Sequence, residues 1–176
     1  MSSGNAEFEE VVRLMARLRK EFGPEHEVVL PEATLKMYRD GYSDGDRGMD
    51  ARLRPGFPVG DLSVIETNFI GFATPEVARF ILGSYLVALV NPSGITPPEE
   101  AHRAEVFCDQ LLMVLGGNDI SSRDRVLKTF SLLSDAQREL VADCLRFVIS
   151  HQMYGWEEAT TALQNYWREG ALARKN

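Results

Sequence analysis

The chain has few of the residues that metal sites and disulfide frameworks require. It contains two cysteines and three histidines among 176 residues. His26, His102 and His151 lie far apart, and no two of them share the HxxxH spacing of a helical metal site. Cys108 and Cys144 both fall on the apolar face of a predicted helix, which is typical of buried free thiols rather than of a disulfide or a nucleophile. The sequence therefore predicts no metal site and no cofactor.

Basic residues, a leader segment and long apolar runs are also scarce. The 19 Lys and Arg residues are outnumbered by 26 Asp and Glu residues, so the net charge is −7 and the pI is near 5.0. Nucleic-acid binding depends on a basic surface, whereas an acidic protein suits a basic protein partner. The start MSSGNAEFEE lacks the basic and apolar regions of a signal peptide, and no apolar stretch reaches the roughly 20 residues of a membrane span. We expect a cytoplasmic protein that binds neither nucleic acid nor membranes.

Catalytic sequence motifs are missing as well. Gly41, Gly45 and Gly48 do not lead into the Lys-Ser/Thr pair of a phosphate-binding loop, and no G-x-S-x-G nucleophile motif occurs. The sequence thus predicts no catalytic residues. A small enzyme or ligand-binding protein with a site assembled from scattered residues stays open as the alternative, because catalytic triads are defined by geometry rather than by order.

The strongest positive signal is a buried central helix at residues 75–90. Thr74 is a suitable N-cap, Pro75 suits the first helical position, and Glu76 places negative charge at the positive end of the helix dipole. Pro92 ends the helix by excluding the residue before it from the α region. Apolar residues between these signals cover every side of the helix, which requires burial on most sides. Gly83 interrupts them, and we expect it to permit the close approach of another element.

Amphipathic patterns predict five further helices around this one. Apolar residues recur at intervals of three and four over 7–22, 99–115, 122–133, 134–151 and 156–169. The predicted buried face of the first consists of Phe8, Val11, Val12, Met15, Leu18 and Phe22. Ser134 and Gln137 have the spacing of a capping box at the start of the fourth. Residues 106–115 also fit a strand, and this alternative stays open.

These patterns together predict a mostly α fold. No internal repeat or low-complexity linker divides the chain. We expect a single-domain orthogonal helical bundle over residues 1–176, built around the central helix at 75–90. A short extended segment or small hairpin is compatible with this fold.

Residues 40–58 form the least regular stretch, a long acidic loop. Four glycines and two prolines exclude a long helix or strand there. Loops carry binding residues disproportionately, so we predict a partner-binding surface in this region. Its candidate residues are Tyr38, Asp40, Tyr42, Asp44, Asp46 and Asp50. A solvated connection without a binding role is the alternative.

Calcium binding by this loop is not predicted. Asp44 and Asp46 begin like an EF-hand loop, which requires an oxygen donor at its fifth position, Gly at its sixth and an acid at its twelfth. These positions hold Gly48, Met49 and Pro55. The pattern therefore fails at each of them.

Aromatic residues are the remaining indication of a binding role. Tyr38 and Tyr42 flank the acidic loop, and Tyr154, Trp156 and Trp167 lie near the C-terminus. Tyr and Trp are enriched in interface hot spots. The spacing places Trp156 and Trp167 on one side of the last predicted helix, so closing the rim of the core is the alternative role.

Two motifs carry a resemblance to a known family. The first consists of Phe72, Thr74, Pro75, Glu76, Phe80 and Leu82–Leu86, and the second consists of Leu133, Ser134, Gln137, Val141, Cys144 and Leu145. Through them, residues 60–150 resemble an uncharacterised family of small, acidic bacterial proteins, a domain of unknown function. Gly83 stands where that family often has proline, and Val77-Ala78 replaces its usual Ala-Phe. The motifs are packing and capping features, so the resemblance implies a fold and no catalytic residues.

The function that we expect is non-enzymatic binding of another protein. In its sharpest form, the chain is a cytoplasmic immunity protein that neutralises a bacterial toxin by direct contact. Small size, acidity and the aromatic-flanked acidic loop agree with this role. A basic toxin domain is the expected partner, because opposite charge accelerates association.

The loop hypothesis makes a kinetic prediction. Replacing Asp44 and Asp46 by lysine should slow association with a basic partner, because it removes the charge that steers the encounter. Stopped-flow mixing at low salt measures this rate. An association rate equal to that of the unchanged protein would count against the loop as the interface.

Overall fold

A computed structural model of the chain describes residues 3–23, 70, 75–92, 101–116, 127, 128 and 130–167. In chain order the elements are α1 (Ser3–Glu21), α2 (Pro75–Val90), α3 (Ala101–Gly116), α4 (Asp135–Ser150), α5 (Trp156–Ala162) and a π turn (Leu163–Trp167). No strand occurs among the described residues, and 106–115 are helical. The prediction of a mostly helical fold is confirmed. The extended segment or hairpin considered for it lies outside these residues.

Helix α2 is the buried centre of the fold, as its sequence predicts. Every residue from 81 to 90 is buried, and the helix packs against α1, α3 and α4. The hydroxyl of the fully buried Tyr85 accepts a hydrogen bond from the Ile70 amide at 3.3 Å. Each fully buried aliphatic side chain contributes about 1.5–3 kcal/mol relative to an exposed one, so this helix dominates the apolar core. None of the described helices has both the length and the apolar character to cross a membrane.

Gly83 lets α1 approach the central helix closely, as expected from the sequence. A Cβ atom added at Gly83 would lie 2.5 Å from the Phe22 Cβ and 2.9 Å from the Phe22 Cγ. Phe22 directly follows the last residue of α1, and its amide donates to the Leu18 carbonyl at 2.9 Å. The missing side chain at Gly83 is therefore filled by the ring that ends α1.

Polar contacts fix how α1 and α4 lie against each other. Gln137 Nε2 donates to the Glu21 carbonyl at 2.7 Å, Arg17 Nη1 donates to Asp143 Oδ2 at 2.6 Å, and His151 Nε2 lies 3.2 Å from Glu10 Oε2. Residue numbers fall along α1 as they rise along α4, so the two helices are antiparallel.

The predicted capping box at the start of α4 is confirmed. Gln137 N–H donates to Ser134 Oγ at 3.2 Å, and Ser134 N–H donates to Gln137 Oε1 at 3.1 Å. Gln137 is buried, and its remaining amide group bonds the carbonyl of Glu21. One side chain thus both starts α4 and joins it to α1.

The buried face of α1 differs from the predicted one. Leu14 and Leu18 are buried, but Phe8 and Val12 are exposed. At about 100° per residue, Val12 lies about 120° around the helix from Leu18, outside the stripe that meets the core. Phe8 lies a further turn towards the N-terminus. The three- and four-residue spacing identified the helix correctly but made its apolar face too wide.

The last predicted helix changes from an α-helix to a π turn before it ends. After α5 the chain forms the π turn, which places two side-chain donors at the end of α3. Trp167 Nε1 donates to the Leu115 carbonyl at 3.2 Å, and Asn165 Nδ2 donates to the Gly116 carbonyl at 3.4 Å. The last carbonyls of an α-helix have no partner within the helix. The π turn therefore caps α3 from the side, a role that periodicity did not indicate.

The close contact at Gly83 makes a stability prediction. Gly83→Ala should lower the free energy of unfolding by about 1–3 kcal/mol through overpacking against Phe22, despite a helix propensity of Ala that is about 1 kcal/mol better. Urea denaturation measures the change. The control is Ala16→Gly at an exposed position of α1, which measures the difference in helix propensity between Ala and Gly without a packing change. A Gly83→Ala protein as stable as the unchanged one would contradict the close approach.

Candidate functional site

The binding residues predicted in the acidic loop are not placed by this structure. They are Tyr38, Asp40, Tyr42, Asp44, Asp46 and Asp50, and all lie outside the described residues. Their role in binding stays a prediction. The site is therefore sought among the described helices.

Both thiols are buried, as predicted, and are poor nucleophiles. Burial, followed by the charges of Asp109 and Glu105, raises the pKa of Cys108 to about 12. Its Sγ lies 3.9 Å from the Ala88 carbonyl. Burial also raises the pKa of Cys144. Because the thiolate is the reactive form, neither side chain suits nucleophilic chemistry.

Over the described ranges, no group of three or more His, Cys, Asp or Glu residues could hold a metal ion. His151 lies at the C-terminal end of α4, where its amide donates to the Phe147 carbonyl at 3.1 Å and its ring packs on Phe147. Its imidazole contacts Glu10 of α1. These contacts give His151 a structural role at the end of α4.

Arg79 on α2 is a weaker candidate. Its Nε atom is buried and has no hydrogen-bond partner. The residue as a whole is only partly buried, so its guanidinium is not enclosed in a site. A single unsatisfied atom does not define a ligand.

The most distinctive exposed surface lies where the turn after α4 meets α3. Glu105, Asp109 and Met113 follow one another at intervals of four residues, so they form one row on the outer side of α3. All three are exposed. The Tyr154 hydroxyl donates to Asp109 Oδ2 at 3.0 Å and thereby joins the turn to this row.

Two aromatic side chains near the C-terminus are exposed. Tyr154 is 52% exposed, and Trp156 at the start of α5 is 42% exposed. Trp167, by contrast, is buried and packs edge-on against Phe130, with ring centroids 4.9 Å apart. Trp167 therefore closes the core, as the alternative interpretation of these aromatics predicts. The expectation that Trp156 lies on the same buried side of the helix as Trp167 is wrong. Trp156 lies eleven residues before Trp167, and the π turn between them breaks the helical register.

Backbone geometry in the turn brings the Tyr154 ring to α3. Gly155 has φ 77°, a left-handed conformation that glycine adopts without a Cβ penalty. A Cβ at this position would overlap Leu112 Cδ1, so the turn packs directly on α3. The adjacent Tyr154 is thereby held over the outer row of α3.

Carboxylates are the main charged groups of this surface. Residues 104–116 and 152–167 carry Glu105, Asp109, Glu157 and Glu158, and the cationic residues Arg103, His151 and Arg168 border these segments. No cationic side chain within the described ranges pairs with Asp109, Glu157 or Glu158. We name this surface the acidic aromatic face; it consists of Glu105, Asp109, Met113, Tyr154 and Glu158.

The hydroxyl of Tyr154 stays a donor on this face. Its hydrogen bond to Asp109, aided by the charge of that carboxylate, raises the pKa of Tyr154. The Tyr154 hydroxyl is therefore protonated at neutral pH and donates to Asp109. The arrangement can accept hydrogen bonds and present aromatic surface to another molecule.

Comparisons with known proteins do not indicate a function for this chain. No protein-family model, no curated protein and no solved structure matches the chain. The resemblance to the domain of unknown function stays a prediction.

The buried thiols make a reactivity prediction. Cys108 and Cys144 should react with Ellman's reagent only slowly in the folded protein at pH 8, because access is blocked and the raised pKa values keep them protonated. Absorbance at mild alkaline pH measures the rate. In guanidinium chloride both should react rapidly, which is the control. Fast modification of the folded protein would show an accessible, activated thiol.

Proposed function

We propose that this protein is a non-enzymatic binding protein, an immunity protein that neutralises a bacterial toxin by direct contact in the cytoplasm. The observation that carries the proposal is the acidic aromatic face. It combines the exposed Tyr154 ring, of a residue type enriched in interface hot spots, with the carboxylates of Asp109 and Glu158, which pair with no cationic side chain among the described residues.

The charge of the chain supports a basic toxin domain as the partner. A net charge of −7 produces a long-range attraction for a basic protein. Such steering raises association rates from about 10⁵–10⁶ to as much as about 10⁸–10⁹ M⁻¹s⁻¹ at low salt. An immunity protein benefits from fast capture, because the toxin must be bound before it acts.

The chemistry of the described residues agrees with this role. The thiols are buried, with pKa values too high for a nucleophile at neutral pH. His151 is used in packing and in the contact with α1. No observation on the described helices favours the alternative of a small enzyme.

Coexpression with a toxin tests the proposal. The genes beside the one that encodes this chain are first searched for a basic protein, which then serves as the probe; the absence of any such gene would count against the proposal. We expect the chain to restore growth of cells that express the toxin, and to form a stoichiometric complex with it on size-exclusion chromatography. Association should slow as salt increases, since screening shortens the reach of the charges.

The control for this experiment is an unrelated protein of similar size and net charge. If it protects the cells equally, the protection does not depend on specific binding. Toxicity that persists without complex formation, or turnover of a substrate by the purified chain, would contradict the proposed function.

A further inference from the structure

We propose that the outer side of α1 joins two copies of this chain in an antiparallel homodimer. The inference goes beyond the proposed function and uses none of the residues of the acidic aromatic face. The surface consists of Phe8, Val12 and Arg19 in one row, with Glu9 and Lys20 beside the row, and we name it the α1 face. In the dimer, the acidic half of one α1 meets the basic half of the other.

The α1 face exposes two neighbouring hydrophobic side chains. Phe8 is the most exposed large hydrophobic residue in the described part of the chain, at 66%, and Val12 is 51% exposed. At about 100° per residue, Val12 lies about 40° and Arg19 about 20° around the helix from Phe8, so the three form one row. Leu14 and Leu18 meet the core on a different side of α1. The fold therefore leaves an apolar ridge uncovered, which is a feature of interaction surfaces.

Charge along α1 is divided between its two halves. Residues 7–10 carry three carboxylates and no cation, whereas residues 13–20 carry four cations and no carboxylate. Two of these charges are used inside the fold, because Glu10 contacts His151 and Arg17 contacts Asp143. The exposed charges that remain are acidic in the first half and basic in the second: Glu7, Glu9, Arg13, Arg19 and Lys20.

These outer charges are available to a second molecule. No ion pair joins Glu9 or Arg19 to another residue that the structure describes. Lys20 lies 3.7 Å from its neighbour Glu21, and its side chain is 77% exposed. Because each copy carries both signs on one exposed face, the face is complementary to itself. This self-complementarity identifies a second copy of the chain as the occupant.

An antiparallel arrangement matches the charges. In a two-fold symmetric dimer, a contact from one residue to another occurs twice. An axis near residue 14 places Glu9 of each copy beside Lys20 of the other, since these residues lie at similar distances from the axis along the helix. Both also lie on the same side of the row, about 100° and 120° around the helix from Phe8. A parallel pair would instead set Glu9 against Glu9 and Lys20 against Lys20, which like charges oppose.

The same arrangement covers the exposed ring. The axis near residue 14 places Arg19 of one copy over Phe8 of the other, where a guanidinium and an aromatic face attract each other. Val12 lies near the axis, so the two Val12 side chains are covered by the opposite helix. The apolar row and the charges beside it are therefore satisfied by one mode of pairing.

The length of α1 sets the expected strength of the dimer. The helix has 19 residues, which corresponds to about 28 Å. A single pair of helices of this length gives an interface at the low end of the size range, below the roughly 1,200–2,000 Å² of stable complexes. We therefore expect a reversible dimer with a dissociation constant between about 1 µM and 1 mM.

Sedimentation equilibrium of the full chain tests the assignment. The mean mass should rise from the 19.7 kDa of one chain towards twice that value as the concentration increases. Phe8→Ala should weaken the dimer by about tenfold or more, because two central rings are lost. Leu132→Ala, at an exposed hydrophobic residue outside α1, is the matched control and should leave the dimer unchanged. Thermal melts of the dilute proteins check that the fold is retained.

Charge reversal tests the antiparallel pairing. Glu9→Lys and Lys20→Glu should each weaken the homodimer by about fivefold or more, because each replaces two attractive pairs by two repulsive ones. An equimolar mixture of these two variants should form a heterodimer, since opposite charges meet again at both ends. Glu139→Lys and Lys128→Glu, at exposed positions outside α1, make the same changes in net charge and should leave the homodimer unchanged.

Several results would overturn the assignment. One is a chain that stays monomeric up to about 1 mM, the weakest association expected; the apolar row would then belong to a different protein or to another segment of this chain. A dimer that Phe8→Ala does not weaken would place the contact elsewhere. Equal weakening by Glu9→Lys and Glu139→Lys would reduce the effect to net charge, and a mixture of Glu9→Lys and Lys20→Glu proteins that does not associate would exclude the antiparallel pairing.

Discussion

Burial of α2 is the constraint on which the rest of the structure depends. A helix that is apolar on every side cannot lie on a surface, so α1, α3 and α4 must pack around it. The packing is close because Gly83 leaves room for Phe22. Ser84 and the hydroxyl of Tyr85 are among the few polar groups that enter this core. The outer helices thus take their places from the requirement to cover α2.

Polar contacts then fix the outer helices in a particular arrangement. Hydrophobic burial has no strong directional preference, whereas hydrogen bonds specify which atoms meet. Gln137 starts α4 and bonds α1 at the same time, and the π turn caps α3 with two side-chain donors. The start of α4 and the end of α3 are therefore each tied to a neighbouring element. The acidic aromatic face results from one such tie, because the turn that follows α4 packs on Leu112.

Much of the fold could be predicted from sequence, and the errors have identifiable causes. The start at Pro75, the box at Ser134 and the burial of both thiols follow from local spacing and composition. The width of the apolar face of α1 does not follow from local spacing, since Val12 is apolar yet exposed. Trp156 was assigned to the buried side because the pattern assumed a regular helix, which the π turn interrupts.

The candidate site was only partly predictable. Tyr154 and Trp156 were recognised as aromatics with a binding role to consider, and the acidic composition suggested a basic partner. Their association with Asp109 was not recognised. Asp109 belongs to α3, and helical periodicity indicates only that its carboxylate faces away from the core.

The sequence by itself determined which segments are helical and which helix is buried, because helical periodicity and capping depend on residues within a few positions of one another. Only the tertiary structure decided that Asp109 meets Tyr154, since these residues are 45 positions apart. Their contact depends on how the turn at Gly155 packs on α3, and no local pattern specifies the relative placement of two distant elements.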